Sequence, residues 1–386
     1  MEFKQIYQIM NTVTSEITGK TDLVAEDLSN IVDVGKEVFS TTGMDNYVRT
    51  LIDHIGKVVF VNRNYTGTAP SVLMDGWEYG AILEKVTYDD LPDATENESW
   101  KLEDKKSYDV NVFTQPKVSA KFFDKRVTFE IPMSFAERQV KSSFDNAGQT
   151  NAFFSMIGNT IQKSQTVKID SLVTRTINNM IGETLASETE DKGVRAVNLY
   201  AMYKERFPED TTITVENCIN YPPFIRFASL IITLYSERLT KISKLFNMGG
   251  KDRFTSKDLQ HIVLLADFEK ASGAYLQSDT FHNEFTKLPN AETVPYWQGS
   301  GKDYSFESVS KINVKTSSGK TVEKSGILGV IFDRDALGVS NLDRRVTTNY
   351  NAKGEFFNNW YKFDAGYFND FNENFVVFYV EEVTEG

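Results

Sequence analysis

The chain has 386 residues, a formal net charge of -12 and an aromatic content of 13% that includes 28 phenylalanines. This length predicts about two packed units with an ample core, and the acidity argues against a protein that holds nucleic acid in a basic groove. Three histidines, His54, His261 and His282, and one cysteine, Cys218, leave little material for a catalytic site, a metal site or an internal disulfide.

The N-terminus and the longest apolar stretch indicate neither export nor a membrane anchor. Met1 to Tyr7 lacks the basic stretch and apolar run of a signal peptide. Phe224 to Tyr235 is about a dozen residues long and contains Arg226, whereas a membrane-spanning helix needs roughly 20 apolar residues. We therefore expect a protein of a reducing compartment that has no membrane span.

Residues 1–44 are polar, with apolar residues at helical spacing before Gly19 interrupts the pattern. These apolar residues are Phe3, Ile6, Met10, Val13 and Ile17. Two interpretations stay open here, an extended N-terminal arm and a terminal helix packed on the core. A helix over 45–56 and a short buried strand over 57–61 follow.

The region 62–131 has the character of extended chain, with alternation at Val110 and Val112 and again at Val127, Phe129 and Ile131. It predicts a long β-hairpin. Its middle, 88–107, is acidic and has no apolar face, so that it must be a solvated loop or rest on a neighbouring molecule.

A very long helix is the next predicted element. Pro132 is expected to end the hairpin, and Ser134 with Glu137 forms a capping box that opens a helix. After an interruption at 145–148, Gln149 to Ile181 predicts one helix about 50 Å long. Its single apolar stripe predicts that it lies on the outside of a sheet.

The remainder predicts an α+β unit closed by a C-terminal strand. Helices are predicted at 194–207, 224–246 and 268–275, and strands at 261–266, 312–315, 327–332, 345–350, 356–363 and 375–381. Turn signals stand at 317–320 and 351–354.

Motifs for chemistry are weak. Gly19-Lys20-Thr21 and Gly319-Lys320-Thr321 lack the earlier glycine of a phosphate-binding loop, so we interpret them as turns. Asp333-Arg334-Asp335 has the carboxylates for a divalent ion, but its place after a strand favours a turn. We predict no cofactor, no metal site and no catalytic residues.

Two stretches resemble the capsid proteins of small short-tailed phages of Gram-positive hosts. The first is Ile31-Val32-Asp33-Val34-Gly35 followed by Tyr47 and the run from Leu51 to Val59. The second is Val330 to Asp335, then Asn349 to Gly354 and Trp360-Tyr361. The element order also resembles the Hong Kong 97-type capsid fold of tailed-bacteriophage major capsid proteins.

The resemblance implies an α+β fold with four parts. These are an N-terminal arm and lead-in strand (1–61), an extended β-hairpin loop (62–131), a spine helix with peripheral domain (132–190) and an axial domain (191–386). It implies a non-enzymatic subunit that assembles into the icosahedral or prolate shell of a virion in the host cytoplasm.

The implied partners are copies of the same chain in pentamers and hexamers, a separate scaffolding protein, a portal protein and non-specifically contacted double-stranded DNA. In the hairpin, Trp77 and Tyr79 are possible anchors on a neighbour, with local packing as the alternative. The predicted subunit-interface residues are Gly76, Trp77, Glu78, Tyr79, Asp89, Asp90, Lys121, Lys125 and Lys141.

Three other functions stay open at this point. An encapsulin-like bacterial nanocompartment shell shares the fold. A carbohydrate-binding virion surface protein could use Trp100, Tyr296 and Trp297 as stacking platforms. A hydrolase is the weakest option, because no pair of carboxylates stands out in so acidic a chain.

Overall fold

The computed structural model of the chain describes residues 3–20, 23–25, 27–41, 50, 72–74, 83–88, 94, 96, 103–105, 111, 115, 117–142, 147–188, 193–277, 291–297 and 310–382. The chain divides into two units. Unit 1 comprises 1–81, 125–173 and 339–366, and unit 2 comprises 82–124, 174–338 and 367–386. The predicted helix at 45–56, except residue 50, the strand at 57–61 and the pair Val110 and Val112 lie outside the described residues.

Unit 1 contains helices and one sheet. The helices are α1 (Phe3–Thr18), α2 (Ile31–Thr41), α3 (Glu137–Ser142) and the first part of α4 (Ala147–Ser187). The sheet has the order β1 (Leu73–Met74), β11 (Leu337–Asn351), β12 (Phe356–Asn369), β4 (Arg126–Ala136). β1 pairs with β11 in parallel, and β4 pairs with β12 antiparallel from Ala136↔Phe356 to Arg126↔Gly366.

The core of unit 1 joins both N-terminal helices to the sheet and to α4. Met10 and Val13 of α1 are buried in one cluster with Val34 and Val38 of α2 and with Ile161 of α4. Phe135, Phe357 and Tyr361 supply its sheet side. Of the two interpretations of the N-terminal segment, the structure thus supports helices packed on the core, and Gly19, with φ +72°, follows the end of α1.

β4 differs from its prediction because it continues through Pro132. The alternation at Val127, Phe129 and Ile131 is confirmed and extends to Ala136. β4 is an edge strand of this sheet, which is where proline is tolerated, because an amide that faces away from the single neighbouring strand makes no ladder hydrogen bond. The helix start near Glu137 is confirmed, but the capping box is not: Ser134 donates to Asn358 across the strands (2.6 Å) and the Ala136 amide donates to Gln139 (3.1 Å).

The long helix is confirmed and exceeds its predicted length. α4 has 41 residues, which corresponds to about 60 Å. Ile157, Ile161, Gln165 and Ile169 form one buried stripe at four-residue spacing. The prediction of a single stripe is wrong for the following part, where consecutive residues 176–178 are all buried.

Unit 2 is built on a five-stranded sheet. Its order is β5 (Ala196–Asn198), β13 (Phe375–Tyr379), β10 (Ile327–Asp333), β6 (Gln260–Leu265), β7 (Glu292–Val294). β10 is antiparallel to β13 and β6, whereas β5 and β7 pair in parallel at the edges. Since β13 is an inner strand with every residue buried, the predicted closure by a C-terminal strand is confirmed.

Helices and hairpins complete unit 2. The helices are α5 (Leu199–Arg206), α6 (Pro222–Arg238) and α7 (Ala266–Gln277), and the two hairpins are β2 (Leu83–Tyr88) with β3 (Val118–Phe123) and β8 (Ile312–Lys315) with β9 (Thr321–Lys324). The β8–β9 turn places Gly319 at φ +84°. Over the described residues, no helix is long and apolar enough to cross a membrane.

Candidate functional site

The predicted interface residues fall into two groups. Gly76, Trp77, Glu78, Tyr79, Asp89 and Asp90 lie outside the described residues. The three lysines are described: Lys121 is on β3, Lys125 is exposed in the connection from β3 to β4, and Lys141 is on α3.

Two of these lysines already have acidic partners within the chain. Lys121 contacts Asp370 at 2.8 Å, and Lys141 contacts Glu137 one helical turn away at 2.7 Å. A neighbour's carboxylate would have to compete with these contacts. The structure therefore brings no group of the predicted lysines together as a ready acceptor surface.

The β2–β3 hairpin has two chemically different faces, because alternate residues of a strand point to opposite sides. Lys85 and Lys121 are direct Cα partners on the face that turns towards unit 2's own 367–373 segment. Phe123 on the same face packs against Phe368, with ring centroids 5.1 Å apart. This inner face fastens the base of the hairpin to its own unit.

A charged cluster holds that base. The Lys85 ammonium lies 3.0 Å from Asp370 and 2.8 Å from Glu373, and it also donates to the carbonyl of Asp335 at 3.2 Å. Arg253 approaches Glu373 at 3.3 Å. The Asp370 side chain is only 1% exposed, so its two ammonium partners interact with it under little solvent screening.

The protonation states follow from this arrangement. Burial alone would raise the pKa of Asp370, but the hydrogen bond from Lys121 and the charge of Lys85 outweigh it and hold that pKa below its ordinary value. Burial would lower the pKa of Lys85, yet the charge and hydrogen bond of Glu373 raise it. Both shifts favour the charged forms, so the Asp370 carboxylate and the Lys85 ammonium form an ion pair that holds the base of the hairpin.

The outer face of the same hairpin is apolar and exposed. Val86 is 60%, Val118 50% and Phe122 63% exposed. Residue Phe122 stands directly opposite Glu84, and Val86 opposite Ala120. Apolar side chains grouped on one exposed strand face are typical of an interaction surface.

Cys218 and Asp333 both make hydrogen bonds within unit 2. Cys218 is buried and its thiol donates to the carbonyl of Val215 (3.0 Å), and burial raises its pKa to about 12. Asp333 accepts hydrogen bonds from Thr255 (2.7 Å) and from the amide of Asp335 (2.9 Å), in agreement with the turn interpretation. Among the described residues, no group of three or more His, Cys, Asp or Glu is placed to hold a metal ion.

His261 and Trp297 also belong to the packing of unit 2. The ring of His261 lies against Phe332, with centroids 5.6 Å apart, and burial followed by the charge of Arg334 lowers its pKa. Trp297 was considered as a side chain that could stack on a sugar, and this interpretation is wrong. Its side chain is buried, and its indole N–H donates to the carbonyl of Ile327 (3.1 Å). Tyr296 is exposed, and Trp100 lies outside the described residues.

No sequence pattern identified the residues that hold the base of the hairpin. Lys85, Asp370 and Glu373 are far apart in the chain, and charged residues are common throughout it. The one available signal is Lys85 in the region predicted to be extended, since a lysine on a strand face that packs against the protein needs an acidic partner. That signal could not identify the partner.

Comparison with known proteins gives one family. The family model described as Phi29-like phage major capsid protein matches residues 8–379. A search of curated proteins found no significant match.

Solved structures with a similar fold come from phage particles. The structure described as the capsid structure of Staphylococcus phage Andhra matches with a TM-score of 0.52 and 9% identity, over 83% of this chain and 86% of that chain. A chain from the structure of the head fiber and inner core protein gp22 of bacteriophage P68 matches with a TM-score of 0.46 and 11% identity, over 83% and 86%. The first likeness supports a shared fold, and its low identity carries no residue-level correspondence.

Proposed function

The chain belongs to the family of Phi29-like phage major capsid proteins, and on this premise we propose that the outer face of its β2–β3 hairpin is a contact between neighbouring subunits of the shell. A major capsid protein has a structural role, and neither an encapsulin-like compartment nor a carbohydrate-binding surface protein is favoured by the comparisons. The proposal concerns how this chain makes the contacts that such a role requires.

The observation that carries the proposal is the contrast between the two hairpin faces. The inner face fixes Lys85 and Lys121 on Asp370, so the hairpin is held at its base. The outer face exposes Val86, Val118 and Phe122 to solvent in the single chain. A fixed apolar strand face loses little conformational entropy on binding, and covering it with a second copy removes apolar area from water.

The wider assembly is proposed from the family. The subunits would form pentamers and hexamers, assemble in the host cytoplasm on a separate scaffolding protein, join a portal protein and enclose double-stranded DNA without sequence-specific contacts. The assignment to phages of Gram-positive hosts and the absence of catalytic activity are proposed on the same ground. The four-part division at 1–61, 62–131, 132–190 and 191–386 is kept as part of this proposal.

All predicted contact residues remain part of the proposal, but the three lysines differ in how accessible they are to a neighbour. Lys125 is exposed and accessible to a neighbour's acidic residues, whereas Lys121 and Lys141 already have partners. Gly76 to Tyr79 with Asp89 and Asp90 stay predicted contacts of the hairpin. An exposed ion pair contributes roughly 0–1 kcal/mol. We therefore propose that the charged contact residues determine the register between subunits and that the apolar face supplies the affinity.

The test replaces Val118 and Phe122 with serine in one variant. Both side chains are exposed in the single chain, so the subunit should keep its melting temperature within a few degrees, while shells and capsomers disappear from negative-stain micrographs and sedimentation profiles. The matched control is Glu84→Gln, on the same face and opposite Phe122, which should assemble normally. Normal shells from the double variant would reject this face as an interface.

A further inference from the structure

Helix α6 of unit 2 separates two connections of opposite charge. Residues 207–221 precede it and residues 239–259 follow it. The helix has 17 residues, which corresponds to about 25 Å. The two connections therefore enter and leave the helix at its opposite ends, which suits a contact between the head of one subunit and the tail of the next.

The connection 239–259, here called the basic connection, is basic and apolar at once. It contains five basic residues, Lys241, Lys244, Lys251, Arg253 and Lys257, against two acidic ones, Asp252 and Asp258. Four large apolar side chains are exposed among them: Ile242, Leu245, Phe254 and Leu259. Three of the five basic residues also have acidic partners within the chain: Lys244 contacts Asp252 (3.4 Å), Arg253 contacts Glu373 (3.3 Å) and Lys257 contacts Glu237.

The basic connection is held in a defined conformation. The backbones of Ser243 and Arg253 exchange hydrogen bonds of 2.9 and 3.2 Å. The buried Asn247 side chain binds both the amide and the carbonyl of Lys251 at 2.8 Å. The amide of Thr255 donates to Leu239 at 2.8 Å. The exposed side chains are thus presented on an ordered backbone, which lowers the entropic cost of binding.

The connection 207–221, here called the acidic connection, has the complementary character. It contains Glu209, Asp210 and Glu216 and no lysine, arginine or histidine. Asp210 is used internally, since it accepts from the hydroxyl of Tyr203 (2.8 Å) and the amide of Thr212 (3.1 Å). Glu209 and Glu216 are exposed, and Phe207 adds an exposed aromatic ring.

We propose that the acidic connection of one subunit docks on the basic connection of the next copy of the chain, so that copies join head to tail within a ring. The inference rests on the proposed function, because it names the surfaces through which capsomers form. A contact between two different patches of identical subunits closes into a ring when the rotation between neighbours permits it. Opposite charges set the register, and the apolar side chains supply the area removed from water.

A second copy of the chain fits the basic connection better than packaged DNA does. A phosphate-binding surface has no use for four exposed apolar side chains between its lysines, whereas a protein partner covers them. The complementary acidic segment is present on the same chain at equal stoichiometry. In a closed ring, every basic connection contacts the acidic connection of a neighbour. A contact with DNA would leave the acidic connections without a partner.

The test is a charge exchange in the full-length chain, coexpressed with the genes that neighbour its own. Lys241→Glu with Lys244→Glu should raise the protein concentration needed for half-maximal ring or shell formation by at least about tenfold, since like charges then face each other. Glu209→Lys with Glu216→Lys should do the same. The variant that combines all four substitutions should return to within about threefold of the wild type. Mass photometry and negative-stain microscopy provide the readout.

The control substitutes Lys315 and Lys320 on the β8–β9 hairpin with glutamate. Both are exposed, and the net charge changes by the same amount, so this variant should assemble as the wild type does. Normal assembly of either two-site variant, or a four-site variant that stays as defective as its parents although its melting temperature is native, would overturn the inference and leave the capsid role intact. Failure of the wild type itself to form any oligomer would instead reject the proposed function.

Discussion

Asp370 gathers two ammonium groups although its side chain is 1% exposed. A buried carboxylate needs both of its cationic partners, because removing one member of a buried ion pair leaves an uncompensated charge. Lys85 and Lys121 come from the two strands of one hairpin, so a single carboxylate positions both strands. The fastening of the hairpin base therefore depends on this residue more than on any exposed charge.

Replacing Asp370 with asparagine should lower the free energy of unfolding by about 3 kcal/mol. The amide keeps the shape but leaves Lys121 without its carboxylate and Lys85 with Glu373 alone. Urea unfolding of the isolated subunit measures the change. Lys141→Met is the control, since the Lys141 side chain is 54% exposed and its pair with Glu137 should contribute less than about 1 kcal/mol.

Acid offers a second readout of the same substitution. The pKa of Asp370 is lowered in the folded chain, so its contribution to stability is fully present above the unfolded-state pKa of about 4 and is lost as the pH falls through the folded-state value. The wild type should consequently lose its advantage over Asp370→Asn as the pH drops below about 4. An advantage that stays constant over this pH range would show that Asp370 acts through shape and not through charge.

Local patterns predicted the individual elements of this fold better than their pairing. The β8–β9 hairpin appeared where Ser317 to Lys320 indicated a turn, because residues close in sequence determine it. β5 pairs in parallel with β13, with Ala196 opposite Val377, and no local sequence pattern indicates this pairing. β9 and the two edge strands β5 and β7 have only three or four residues each, which is too short for a periodic signal.

The candidate site divides in the same way. The extended character of 62–131 predicted a hairpin, and β2 and β3 lie within it, but no pattern indicated the bounds of these two strands or the faces of their side chains. The choice of Asp370 and Glu373 as partners required the tertiary fold, because the chain contains 54 acidic residues and spacing favours none of them. Lys121 stays a predicted contact with a neighbour, and within the chain it already contacts Asp370.

Helix α4 carries a polar side chain in its buried stripe. Gln165 is completely buried, and neither amide atom has a hydrogen-bond partner among the described residues. It lies in the stripe formed by Ile157, Ile161 and Ile169. A buried amide without partners opposes folding by roughly 1–3 kcal/mol.

Substituting Gln165 with leucine should therefore raise the free energy of unfolding by about 1–2 kcal/mol. Thermal unfolding followed by circular dichroism checks the direction. Lys163→Leu is the matched control at an exposed position of the same helix, and it should change stability by less than about 0.5 kcal/mol, because lysine and leucine have similar helix propensities. Destabilisation by Gln165→Leu alone would mean that the amide has a partner outside the described residues.

For the whole molecule, the stability of the subunit and its capacity to assemble are located in different residues. The buried apolar side chains of the described residues lie in the two units and none falls between 89 and 117. Half of the exposed large apolar side chains of the described residues lie on the β2–β3 hairpin and on the basic connection. A shell subunit benefits from this separation, since a surface that is free for weak contacts with copies need not contribute to the core.

Removing the hairpin tip should test this separation directly. Tyr88 and Val118 are Cα partners at the outer end of the described ladder, so an Asn-Gly turn in place of residues 89–117 can close the two strands. The shortened chain should remain folded, with its melting temperature within about 5 °C of the wild type, because no described core residue is lost. It should nevertheless fail to form shells, since the acidic segment and the outer part of the contact with the neighbour are gone.

The same Asn-Gly pair placed at Ser317-Ser318 in the β8–β9 turn controls for an engineered turn and should assemble normally. Full-sized shells from the shortened chain would show that affinity between subunits comes from other surfaces, with the basic connection as the next to test.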